Sequence, residues 1–262
     1  MPTTYAHDRF GREVFKKLPE DLKKVIREHK KLYLIGLHGP DIFFYYHPFS
    51  RNGISEMGSR LHRETAEHFF KERIGVYQEN PEDALRVYLL GFACHFLLDS
   101  ACHPYIGAFE EQTGISHAEI ETHLDRRLME MDGKDPFSYE PASSICPNTD
   151  GNRVIQKCFP NLSRQEILEC LKGMKFYTHL PICRNAVKRT ALLSLLKVSG
   201  QYEAMEGQIM RKHPNPKCEA ATDNLLTLYR KALEEAPAEL EVLNEAILNG
   251  TPLSGRYDRN FE

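Results

Sequence analysis

The sequence has no Cys-x-x-Cys pair, and its seven cysteines are an odd number. A cysteine-built zinc ribbon and a fully paired disulfide framework are both excluded. Free, mostly buried thiols in a reduced, cytoplasmic protein are expected instead. Basic charge is not in excess, because the formal net charge is −3. That excludes the electrostatic footprint of a protein built to hold long nucleic acid. No run of apolar residues is long enough to cross a bilayer; the longest, Val87 to Leu98, is interrupted by His95. No basic stretch followed by an apolar one opens the chain, so no signal peptide is expected. Strand-like alternation is scarce, and no repeat recurs at a fixed period.

What remains is helical. Hydrophobic residues make up 41% of the 262 and charged residues 27%, as in an ordinary globular domain. A short amphipathic piece covers Phe10 to Leu18. Pro19-Glu20-Asp21 opens a helix that breaks at Gly39-Pro40. Ile54 to Tyr77 predicts one long helix. Asn80-Pro81-Glu82-Asp83 starts another, and Pro104 is expected to end it near His103. Ser116 with Glu119, and Ser163 with Glu166, have capping-box spacing. Residues 134–162 are rich in Pro, Ser, Asn, Asp and Gly and predict a long loop, one that could cover a pocket. Further helices are expected over 164–174, 182–199, 219–235 and 237–248. The expected fold is all-α, a single multi-helical bundle-like domain over 1–262, with a metal cluster between its helices.

The cluster is read from histidine. Ten of the 12 histidines lie at or before His123. The apolar segment GFACHFLLDSACHPYIG carries His95, Asp99 and His103 at steps of four. A helix turns about 100° per residue, so these three span roughly 80° of one face over about 12 Å. His117 and Glu121 repeat the step on the next helix, and Asp125 continues their stripe, where it could orient His117. Bundles build metal sites from such inward pairs. An unpaired carboxylate on an apolar face would cost several kcal/mol, which a bound cation removes. His, Asp and Glu without Cys favour zinc or another borderline divalent ion, and clustered ions suit phosphoester chemistry. A single buried histidine would more simply be a satisfied core residue.

The stretches AHDRFG, GLHGPDIFFYY, NGISEMGSRLH, YLLGFACHFLLDSACHPYIG and SHAEIETHLD together resemble the zinc-dependent phospholipase C family, over roughly residues 1–125. Its fold is related to that of zinc-dependent single-strand-specific nucleases. The resemblance implies two to three zinc ions. Asp41 and His62 would join His95 and Asp99 around one metal, and His103, His117 and Glu121 would hold a second. Asp99 would bridge to a third, shared with His7 and the N-terminal region. The chain departs from the family in having no tryptophan and six residues before His7. The third site therefore stays open between a ligand from Met1 or Pro2, weak binding and vacancy. His47 is the rival to His62. His38 either lines the pocket or belongs to a turn, and His68 is expected at the surface.

The resemblance implies hydrolysis of a glycerophospholipid, or of a related small-molecule or lipid phosphodiester, with Asp41 and Glu121 as candidate proton acceptors. Transient membrane-surface contact is the expected partner interaction, with no long nucleic acid and no transmembrane segment. Three other readings stand beside it: a nuclease or nucleotidase, a non-catalytic metal-binding helical protein, and an HD-type phosphohydrolase suggested by the adjacent His7-Asp8.

Overall fold

The structure, a computed structural model, describes residues 4–262. Among the described residues there are twelve α-helices and no β-strand. In chain order they are α1 (Thr4–Lys17), α2 (Glu20–Glu28), α3 (Lys30–Gly36), α4 (Gly53–Arg63), α5 (Ala66–Glu79), α6 (Asp83–Thr113), α7 (His117–Met131), α8 (Thr149–Cys158), α9 (Arg164–His179), α10 (Ala186–Val198), α11 (Tyr202–Met205) and α12 (Glu219–Asn249).

α6 is the axis. Every residue from Ala84 to Ser100 is buried, as expected of a helix that is apolar all round. It has the length and hydropathy of a membrane span, but 94% of its apolar window is buried inside the fold. α3 and α12 pack against it. At Gly36 a Cβ would lie 2.5 Å from the Tyr88 carbonyl oxygen, and Gly91 faces Tyr33 backbone in the same way. Glycine at both positions lets the α3 and α6 backbones meet.

Several expected boundaries move. α6 continues through Pro104 and ends only at Gly114, whose φ of 71° makes the left-handed cap. Pro104 lies on the exposed side, and Ile106 beyond it is buried again. Packing outweighs the roughly 3 kcal/mol that an interior proline costs. α12 likewise runs through Pro237, with Ala236 and Leu240 buried on either side. The stretch 54–77 is two helices, broken at the extended Glu64 and Thr65. The helix opened at Pro19 is also two, broken at His29.

Residues 134–162 are not one loop. They contain α8, capped by Asn148, with Val154, Ile155 and Cys158 buried. The full capping box forms at Ser163 and Glu166. At Ser116 only half forms: its side chain caps Glu119, whose own carboxylate turns away to Arg211 and Asn215.

One main core extends from Tyr5 to Phe261. A small satellite of Cys183, Leu196 and Ile209 sits under α10.

Candidate metal centre

Five segments converge at the middle of α6. α1 brings His7, the 3-10 turn Gly39–Tyr45 brings Asp41, and α4 brings His62. α6 contributes His95, Asp99 and His103, and α7 contributes His117 and Glu121. All eight expected ligands are thereby brought together.

Asp99 is the hub. Its Oδ1 lies 3.0 Å from His7 Nε2 and 3.5 Å from His103 Nε2. Its Oδ2 lies 2.9 Å from His95 Nε2 and 3.9 Å from His62 Nε2. Asp41 faces His62 at 3.1 Å and His95 at 3.6 Å. Glu121 Oε1 faces His117 at 3.1 Å and His103 at 3.4 Å. Three sets of donor atoms lie within 4.8 Å of one another: His7, His95 and Asp99; Asp41, His62 and His95; His103, His117 and Glu121.

These separations fit zinc. Ligands about 2.0–2.1 Å from a tetrahedral ion stand roughly 3.4 Å apart. The donors are imidazole and carboxylate alone, which zinc accepts. Asp41 Oδ1, His95 Nε2 and Asp99 Oδ2 are buried and stand close to one another's partners without forming a hydrogen bond, and buried Glu121 Oε2 has no hydrogen bond either. Buried polar atoms are nearly always satisfied, so the cluster is built for something beyond its own side chains.

Electrostatics agrees. Burial opposes the charge on His103, yet Asp99 and Glu121 push its pKa up to about 10. Burial also opposes charge on His7 and His62, and Asp99 and Asp41 respectively still raise them. Burial would raise Asp99, but His103, His95 and His7 hold it well below the carboxylate range. Glu121 is buried too and is lowered by His103 and His117. Three interior carboxylates thus demand positive charge, as protons or as metal.

Supporting groups fix the rings. His62 Nδ1 donates to the Gly58 carbonyl at 2.8 Å, one helical turn back. His103 Nδ1 donates to the Phe261 carbonyl at 2.8 Å. Each bond leaves Nε2 aimed at the carboxylates, the usual arrangement behind a metal-binding histidine. Phe261 is tied in further, since its N–H donates to the His62 carbonyl at 3.0 Å. Nothing in the sequence announced this 158-residue separation. Gly39 has φ +46°, and a Cβ there would strike the His95 ring.

Other expectations sort clearly. Asp125 does not orient His117. It accepts from the Tyr5 and Ala6 N–H groups at 3.1 and 2.8 Å, capping α1 and docking it on α7 so that His7 meets Asp99. His47 is exposed, faces Glu169 at 3.8 Å and belongs to none of the three donor sets. His68 is exposed beside Glu72. His38 is fully buried, and burial lowers its pKa to about 4. Asp8 turns away from His7, toward Arg12 at 2.6 Å and Ser144 at 2.7 Å, so the two do not act as a pair. Met1 and Pro2, the expected further ligands of the third site, lie outside the described residues.

The cluster opens to solvent. His117 is partly exposed, and a cavity lined by Phe44, Ser59, His117, Glu121 and Glu262 reaches it. A second cleft shares Glu121 and is walled by Tyr45, Tyr139, Tyr177, Ile182 and Met210. Tyr139, with Pro136 and Pro141, is the part of the expected loop that reaches this cleft.

The family described as zinc dependent phospholipase C matches residues 6–172, more than half of the chain. The protein belongs to that family. The match extends past the motifs to α9 and includes all eight residues of the cluster. No curated protein and no solved structure matches the chain.

Proposed function

We propose that this protein is a zinc-dependent phosphodiester hydrolase that cleaves the headgroup phosphodiester of a glycerophospholipid. One observation carries the reading: three buried carboxylates and five histidines stand at zinc-ligand spacing beside a cavity open to solvent. Bound zinc, two to three ions, would supply a Lewis acid for the phosphoryl oxygens and a lowered pKa for water.

The chain's own groups do the rest. Asp99 holds His7, His95 and His103 in one frame through both its oxygens. The Gly58 and Phe261 carbonyls keep His62 and His103 in the tautomer that presents Nε2. Asp41 and Glu121 are the proton acceptors for a water in the cavity. Glu121 Oε2 has no hydrogen bond, and Glu121 lines both the cavity and the cleft. A reducing compartment, the cytoplasm, suits the free thiols at all seven cysteines.

The test is hydrolysis by the zinc-loaded chain, offered phosphatidylcholine and mononucleotides side by side. Release of diacylglycerol that is lost in Asp41→Asn or Glu121→Gln supports the reading. Turnover of nucleotides alone would move the assignment to the related nuclease chemistry. No turnover of either, with zinc bound, would make the cluster structural.

A further inference from the structure

The segment between Glu169 and Glu203 contains no acidic residue, yet it carries Lys172, Lys175, Arg184, Lys188, Arg189 and Lys197. Six positive charges there contrast with −3 for the whole chain. Basic residues elsewhere are commonly paired, as with Arg9, Arg127 and Arg153. Three of the acids near this segment are engaged: Glu140 faces His179, Glu169 faces His47 and Glu206 faces Arg211.

α10 lies within this stretch. Its inner side, Leu192, Leu193 and Leu196, packs on Cys183, Ile209, Tyr202 and Met205. Its outer side is also apolar. Val187, Leu195 and Val198 are 79%, 63% and 88% exposed, with exposed Ala191 and Ser194 between them. At about 100° per residue these five occupy roughly 100° of one face. Among the described residues nothing covers that face.

The face is joined to the cleft beside Glu121. Lys188 Nζ donates to the Ile182 carbonyl at 2.6 Å, tying the first turn of α10 to a cleft-lining residue. Phe176 and Phe49, both more than half exposed, pack on the cleft residue Tyr177.

We propose that α10, with Phe176 and Phe49, is a docking face for an anionic lipid surface. Lys175 and Lys188 donate their ammonium groups to backbone carbonyls, but Arg184 and Lys197, at the two ends of α10, are exposed, and an apolar stripe flanked by such cations is the composition of a helix that lies in a membrane interface. The lipid surface is chosen over a second copy of the chain because the segment's charge is of one sign and would repel its own image. Docking would set the cleft of Tyr177 and Ile182 against the bilayer. The role of the face in supplying substrate rests on the lipid reading above; the binding itself does not.

The experiment co-sediments the whole zinc-loaded chain with phosphatidylcholine vesicles, with and without phosphatidylserine, and follows hydrolysis of soluble p-nitrophenyl phosphorylcholine in parallel. The chain is expected to bind the phosphatidylserine vesicles more tightly, and salt should weaken that binding. Leu195→Glu/Val198→Glu should lower affinity at least about ten-fold. Arg184→Ala and Lys197→Ala should each lower it about five-fold. All should leave soluble hydrolysis unchanged, since every position is exposed. Failure to sediment with anionic vesicles, or equal affinity in wild type and variants, overturns the docking face. So does a dimer in light scattering that Leu195→Glu dissolves. Vesicle binding without hydrolysis would keep the docking face and remove the proposed function, while hydrolysis without binding would do the reverse.

Discussion

α6 and α10 are both leucine-rich, and they solve opposite problems. α6 buries every residue from Ala84 to Ser100, including His95 and Asp99. α10 leaves Val187, Leu195 and Val198 in water. In the first, polar groups sit where only a counter-charge can satisfy them. In the second, apolar groups sit where only another surface can. Each points to a partner by its chemistry: a divalent cation for α6 and, as proposed above, a lipid interface for α10.

The largest effect that would break this contrast is expected at Asp99. Asp99→Asn removes the charge shared by His7, His95 and His103, and should reduce zinc retention and hydrolysis by at least about 100-fold. Zinc analysis and turnover check this; wild-type values for both would end the cluster account. Leu89, fully buried on α6, and Leu195, exposed on α10, compare the two helices directly. Leu89→Ala should cost about 2–5 kcal/mol and Leu195→Ala no more than about 0.5 kcal/mol in urea unfolding. Equal losses would mean that α10 is covered.

A subtler test lies at Asp125. Burial raises its pKa to about 7, against the restraint of its bonds to Tyr5 and Ala6. A carboxyl raised on folding favours the native state at low pH, and that contribution fades as pH climbs from about 4, the unfolded value, to about 7. Asp125→Asn keeps an acceptor without the charge. Melting curves at fixed zinc should show the wild type losing ground to the variant across that window; parallel curves would contradict the assignment. The smallest effect belongs to His68, exposed beside Glu72. His68→Ala should leave zinc content unchanged, and a lost ion would show that the ligand set is wrong.

What was legible in the sequence was what helical geometry alone fixes. His95, Asp99 and His103, and then His117 and Glu121, were placed on common stripes because steps of four require it. His7, Asp41 and His62 entered only through resemblance, because tertiary packing, not spacing, brings them to α6. Asp125 continued the α7 stripe but serves α1, and the Phe261 carbonyl behind His103 gave no local signal. The start signals at Ser116 and Ser163 were read from capping chemistry, which is local. Pro104 and Pro237 misled for the converse reason: burial on both sides of each proline outweighs its local cost. α8 was hidden because its capping residues are those of loops, while its core contacts are three residues, Val154, Ile155 and Cys158.

The middle of this bundle gathers eight donors for a zinc cluster. Plasma mass spectrometry of the purified, zinc-supplemented chain at neutral pH measures it directly. Two to three zinc ions per chain are expected, at least one of them lost in Asp99→Asn. A chain that folds and holds no tightly bound metal would contradict that expectation, and would leave Asp41, Asp99 and Glu121 neutralised by the histidines around them.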